Sequence, residues 1–279
     1  MLGRKRTGSV ICPSCGRLVG VNDKECLNCG RRNPGMWGLT GVLCGLGRDA
    51  GFVQLVLGAS ILLYGASLLL DTGGIRSGGL SLLQPSGGSL FALGASGAIP
   101  VFGYGHWWTV LSAGWLHAGL LHILFNMLWV RQLAPETAEL YGPSRMVILY
   151  TLSSVTGFLL TSLVGLFLPF LGGARFTVGA SASLFGLLAA LVYYGRRAGS
   201  RHLGSQAWSY AIVLFVMGFL PGFAADNWAH LGGFAGGYLA AKWLDPLRPE
   251  RGDHVFAAIA CLAASGLAIV ASLVTARLR

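Results

Sequence analysis

Long apolar runs separated by short polar stretches fill the chain from residue 51 onward. Seven of them lie at roughly 51–70, 112–130, 146–168, 178–195, 207–224, 227–244 and 255–275. Each reaches or approaches the roughly 20 residues that a helix needs to cross a bilayer. The fourth and fifth are the shortest. Residues 100–115, with Pro100, His106, Trp107 and Trp108, are aromatic and broken, and read as interfacial. The first 35 residues are polar and cysteine-bearing, unlike a cleavable signal peptide. The pattern predicts a small module over 1–35, a linker over 36–50 and an all-α, polytopic membrane domain over 51–279.

Composition strengthens that picture. The chain is 54% hydrophobic and 11% charged, where roughly 25% charged is usual for a soluble domain. Its 43 glycines suit helices that must approach closely in lipid. A net charge of +10 raises the question of nucleic acid, but the basic residues sit between apolar runs and form no stripe, so no nucleic-acid partner is expected. Topology explains them better. With a cytoplasmic N-terminus, Arg31, Arg32, Arg131, Arg145, Arg196, Arg197, Arg201, Lys242 and Arg248 all fall inside, while Arg76, Arg175 and Arg277 fall outside.

Two CxxC pairs, Cys12-Pro-Ser-Cys15 and Cys26-Leu-Asn-Cys29, are separated by ten residues, and each is followed by a glycine. Two such turns offer four thiolates to one tetrahedral zinc. A module this short has too little core to fold unaided, so the metal is expected to be structural. Disulfides are disfavoured on the cytoplasmic side. Cys44 and Cys261 read as ordinary apolar-segment cysteines.

Chemistry concentrates in three runs. Gly179-Ala180-Ser181-Ala182-Ser183-Leu184-Phe185-Gly186 puts a serine among small residues at the start of the fourth, and Ala229-His230-Leu231-Gly232-Gly233 puts a histidine in the sixth. An ionisable group inside a membrane helix is a functional hypothesis by default. Serine and histidine together suggest a nucleophile and its base. Gly233 follows His230 on the same face, where a small residue lets two helices close. In the second run, read as one helix through Trp115–Met127, His122 and Asn126 share a face. They serve either as interhelical hydrogen-bonding groups or as donors to a developing oxyanion. Asp226 is the only carboxylate near His230 in sequence and reads as an N-cap, which points to a Ser–His dyad.

The ordered set resembles the rhomboid family of intramembrane serine proteases. GxS with an aromatic and a glycine shortly after, AHxxG, and HxxxN all occur within Trp107–Ala241. The resemblance implies a six-helix rhomboid core, with a seventh C-terminal transmembrane helix after it and the zinc ribbon before it. It casts Ser181 as nucleophile and His230 as base and acid, with His122, Asn126 and the Ser181 amide as oxyanion hole. Phe185 would stack on His230, Gly233 would supply the helix contact, and Gly179 and His117 belong to the motifs. The chain departs from the family at Trp108-Thr109, where Trp-Arg is common, and at Ala182, where glycine is. A glutamate usually found after the second helix has two candidates, Glu136 and Glu139.

The implied reaction is hydrolysis of peptide bonds in or near transmembrane segments of other proteins, with no metal needed for the chemistry. The implied location is a bacterial plasma (inner) membrane. The main alternative is a rhomboid-fold protein that binds membrane clients without cutting them. A transporter would call for paired carboxylates or inverted repeats, and a zinc metalloprotease for HExxH; neither pattern occurs.

Overall fold

The computed structural model describes residues 6–13, 15–38, 49–78, 82–220 and 225–278. Cys44, most of the linker and the end of the fifth apolar run lie outside them. The protein is mainly helical, with a cysteine module ahead of a helical bundle that includes helices long and apolar enough to cross a membrane.

The module opens with strands β1 (Ser9–Ile11) and β2 (Leu18–Gly20), paired antiparallel with Val10 opposite Val19. Both valines are buried against Cys12 and Cys26. Each CxxC turn closes on itself, with Gly16 N–H donating to Cys12 O at 2.9 Å and Gly30 N–H to Cys26 O at 2.8 Å. Gly16 (φ 71°) and Gly30 (φ 70°) are left-handed, which explains the glycine after each pair.

Nine α-helices follow among the described residues. They are α1 (Phe52–Leu70), α2 (Gly87–Leu93), α3 (Thr109–Ser112), α4 (Leu120–Tyr141), α5 (Pro143–Phe167), α6 (Ser181–Arg197), α7 (Arg201–Met217), α8 (Asn227–Leu244) and α9 (Gly252–Arg277). Among the described residues, helices α1, α5 and α9 are long and apolar enough to cross a membrane, and the bent pair α3–α4 makes a fourth where it is counted as one span. At 17, 17 and 18 residues, α6, α7 and α8 sit at the apolar runs without meeting that length and apolarity.

The second run corrects the sequence reading. It is not one helix: α3 and the turn Ala113–Trp115 meet α4 at 93°. Leu116 and Gly119 are both extended, and Leu120 N–H donates to Leu82 O, so helical hydrogen bonding restarts there. His117 therefore lies in the break, off the helix that carries His122 and Asn126. At its far end α4 runs through Pro135 to Tyr141, placing Glu136 and Glu139 within the helix instead of after it.

Helix α6 is the centre of the bundle, with Ala182–Val192 buried on every side. Its entry segment, residues 172–180, is irregular, and irregular backbone at membrane depth survives only where protein satisfies it. Here it does: Ser96 and Thr177 exchange backbone bonds, Ala98 N–H donates to Ala174 O, and Gly179 N–H donates to Ala113 O at 3.0 Å. The loop 94–115 thus holds the chain that delivers Ser181. Trp108, where the family often continues with arginine, anchors that loop to the last helix by donating from Nε1 to Ser272 Oγ at 3.0 Å.

At the other end of the bundle, Glu250 Oε1 accepts from the amides of Ser144 (2.7 Å) and Arg145 (3.1 Å) at the start of α5. Its Oε2 meets Arg31 of the cysteine module at 3.2 Å, with both side chains 3% exposed. Arg145 binds the carbonyls of Leu244 and Asp245 at 2.9 Å each. The module and the ends of α5 and α8 are tied together there.

Candidate active site

Lipid tails are as apolar as leucine, so helix pairs in a membrane are held by close packing and hydrogen bonds. Glycine sets the distance between α6 and α8. A Cβ on Gly233 would collide with the Ala182 carbonyl, and one on Gly237 with the backbone of Gly186. This contact brings the first turn of α8 against the first turn of α6.

Ser181 Oγ and His230 Nε2 are 2.9 Å apart. The imidazole is buried at 5% exposure, while Ser181 is partly exposed, so the pair has one open side. Phe185, one turn along α6, stacks on His230 with ring centroids 4.2 Å apart and planes 12° apart. On its other edge, His230 Nδ1 lies 3.1 Å from Asn227 Oδ1. An amide oxygen only accepts, so that contact puts the imidazole proton on Nδ1 and the lone pair on Nε2, facing the serine.

Asn227 is the site residue that the sequence reading missed, because that reading sought a carboxylate. The available signal was an amide three residues before the histidine on a predicted helix. Asp226 is the expected N-cap, accepting from Ala229 N–H at 3.0 Å. It also accepts from Thr161 Oγ1 at 2.9 Å, and Thr161 accepts from Ala174 N–H at 2.9 Å. One carboxylate therefore ties the start of α8 to α5 and to the segment leading into α6.

His122 reaches the same place from α4. Its Nδ1 accepts from Ala118 N–H at 3.2 Å, which leaves Nε2 as the protonated nitrogen. A Cβ on Gly179 would lie 2.8 Å from that Nε2 and 3.9 Å from Ser181 Oγ. Gly179 has φ 134°, a conformation that side chains avoid, and it is the gap through which His122 approaches the serine. His117, fully buried in the break, packs edge-on against His122 with ring centroids 5.3 Å apart. Asn126 is buried on the next turn of α4, with Nδ2 donating to His122 O at 2.8 Å.

The profile of the Rhomboid domain matches residues 104–245, a segment that contains all of these groups. The chain belongs to the rhomboid family. Rhomboid protease GluP of Bacillus subtilis (strain 168) is 31% identical over 194 residues, covering 65% of this chain and 36% of that protein. Rhomboid-like protease 3 of Toxoplasma gondii is 28% identical over 224 residues, 78% of this chain and 77% of the relative. Inactive rhomboid protein 1 of Danio rerio is 34% identical over 130 residues, 44% of this chain and 14% of that protein. The chain thus spans well under half the length of GluP.

Outside the rhomboid match, the cysteine module gathers Cys12, Cys15, Cys26 and Cys29 with all four sulfurs within 4.8 Å of one another. The sulfurs of Cys12 and Cys29 are 3.8 Å apart and those of Cys15 and Cys26 are 3.6 Å apart. Four thiolates around zinc at about 2.3 Å make a tetrahedron with edges of about 3.8 Å. The donor set fits such an ion. Burial, reinforced by the neighbouring sulfurs, pushes the Cys29 thiol up to about 12. A bound cation would reverse this by favouring thiolate. Cys261 is separate from this cluster, on α9.

Proposed function

We propose that this rhomboid protein is an intramembrane serine endopeptidase that hydrolyses peptide bonds in or near transmembrane segments of other membrane proteins. The observation that carries the reading is the 2.9 Å contact of Ser181 Oγ with His230 Nε2, with the lone pair of that nitrogen turned to the serine. His230 takes the Ser181 proton as Oγ attacks the scissile carbonyl, then gives it to the leaving amine. The tetrahedral oxyanion is met by His122 Nε2–H, with Asn126 and the Ser181 amide completing the set. One such donor contributes about 2.7–4 kcal/mol in comparable sites. Water then attacks the acyl-enzyme, and His230 acts as base again. A substrate helix hides its carbonyls in its own hydrogen bonds, so sites with small or helix-breaking residues are favoured. The half-exposed Phe125, beside Asn126 on α4, is suited to line the way in.

The four cysteines of the module hold a structural zinc ion, whose part is to cross-link the two turns. In this reading the N-terminus is cytoplasmic, which the distribution of arginine and lysine supports, and the membrane is a bacterial plasma membrane.

The likeness to a relative named as inactive supports a second reading, a client-binding rhomboid that does not cut. Labelling by a fluorophosphonate probe separates the two. Wild type is expected to be labelled, and Ser181→Ala and His230→Ala are expected to lose the label. Folded wild-type protein that takes no label, and cleaves no reporter transmembrane segment, would favour client binding.

A further inference from the structure

Helices α6 and α7 are pinned together where Gly195 meets Gly204. A Cβ on Gly195 would come within 2.6 Å of Gly204 Cα. Beyond that crossing α7 buries only Ala207 and Ala211, and a groove of about 450 Å³ opens between α6, α7 and α8. Trp208 and Phe234 form its walls, with rings 5.1 Å apart. Arg196, Arg201 and Tyr238 line it towards the helix ends.

Charge at that end is unbalanced. Arg196 donates to Tyr238 Oη at 3.3 Å, and among the described residues neither Arg196 nor Arg201 has a carboxylate in ion-pair range. Asp245, at the same end of the bundle, is already shared by Arg197 (3.7 Å) and Arg248 (3.3 Å). The volume falls within the range of small-ligand sites. A free anion would satisfy the guanidiniums and leave the aromatic walls uncovered. A neutral apolar molecule would do the reverse. An amphiphile with an anionic head satisfies both.

We infer that this groove binds an anionic phospholipid, with its phosphate on Arg196 and Arg201 and an acyl chain along Trp208 and Phe234. The planar guanidinium fork matches phosphate oxygens in pairs. Tyr238, accepting from Arg196, keeps its own O–H to donate to the headgroup. Helix ends are where headgroups lie, and an opening between helices in a bilayer fills with lipid. Basic pockets between transmembrane helices are suited to such heads. The inference does not depend on what Ser181 does.

Native mass spectrometry of the full chain, titrated with phosphatidylglycerol or phosphatidylcholine, tests it. Phosphatidylglycerol is expected to be retained selectively. Its binding should weaken roughly fivefold for each arginine lost in Arg196→Gln/Arg201→Gln, and stay unchanged in Arg248→Gln/Arg251→Gln, which removes the same charge elsewhere. Trp208→Ala should weaken binding with no change in charge, and inorganic phosphate should fail to compete. Equal retention of the two lipids would overturn the assignment, as would equal losses in the two double variants or displacement by phosphate. If the Arg196/Arg201 variant does not fold, unchanged binding in Trp208→Ala overturns it as well.

Discussion

Asn227 Oδ1 and His230 Nδ1 are 3.1 Å apart, one helical turn from each other at the start of α8. The amide takes the orienting position that a carboxylate fills in soluble serine hydrolases. It brings no charge, which suits a buried imidazole that accepts a proton in the mechanism proposed above. Asn227→Ala removes one neutral hydrogen bond of about 1 kcal/mol, so kcat should fall roughly fivefold with KM little changed. Steady-state kinetics on a reporter transmembrane substrate will show this. A variant with wild-type kcat would mean that Phe185 alone holds the ring.

Gly233 decides whether the serine and histidine meet. Its missing Cβ is the space that the Ala182 carbonyl occupies, and neither backbone can yield without moving its helix. Gly233→Val is expected to lower stability by about 1–3 kcal/mol and to abolish fluorophosphonate labelling of Ser181. Gly266→Val, on α9 with nothing near its Cβ, should leave labelling intact. Equal behaviour of the two variants would refute a specific role for the contact.

Much of this site was legible in the sequence because polar residues in apolar runs have few structural alternatives. Ser181, His230, His122 and Asn126 stood out for that reason, and helical spacing put Phe185 and Gly233 on their faces. What stayed hidden was set by backbone detail or by distance along the chain. The break at 116–119 interrupts an apolar run without a proline, so hydropathy reads straight through it. Charged residues from Arg131 onward marked the end of the apolar run, but helical hydrogen bonding continues to Tyr141. Arg31 and Glu250 are 219 residues apart, and no periodicity announces a pair of that kind.

That pair makes a prediction of its own. Removing Arg31 leaves Glu250 buried, hydrogen-bonded among the described residues to the Ser144 and Arg145 amides and drawn electrostatically to the Arg145 guanidinium. Breaking a buried ion pair typically costs about 3–5 kcal/mol, and the two amides reduce this, so Arg31→Ala should destabilise the protein by about 1–3 kcal/mol. Glu250→Gln in the same background should recover part of the loss, since it removes the stranded charge. Thermal unfolding in detergent would test both, and an additive double variant would mean that the two side chains do not interact.

Metal removal should separate the module from the chemistry. Cys15→Ser/Cys26→Ser removes two of the four sulfurs, and elemental analysis should fall from one zinc per chain to none. The module would then lose most of its stability, because two three-residue strands and a few buried side chains cannot hold it. Arg31 would lose its fixed place with it, so the unfolding temperature should drop towards that of Arg31→Ala. Labelling of Ser181 should persist, because Ser181 opens α6 and the module docks where Glu250 caps α5, at the opposite end of the bundle. Deletion of residues 1–35 should behave in the same way. Folded protein that keeps Ser181 and His230 but loses labelling with the metal would make the ribbon part of the catalytic unit, with α5 and α8, which Glu250 and Arg145 tie together, as the path between them.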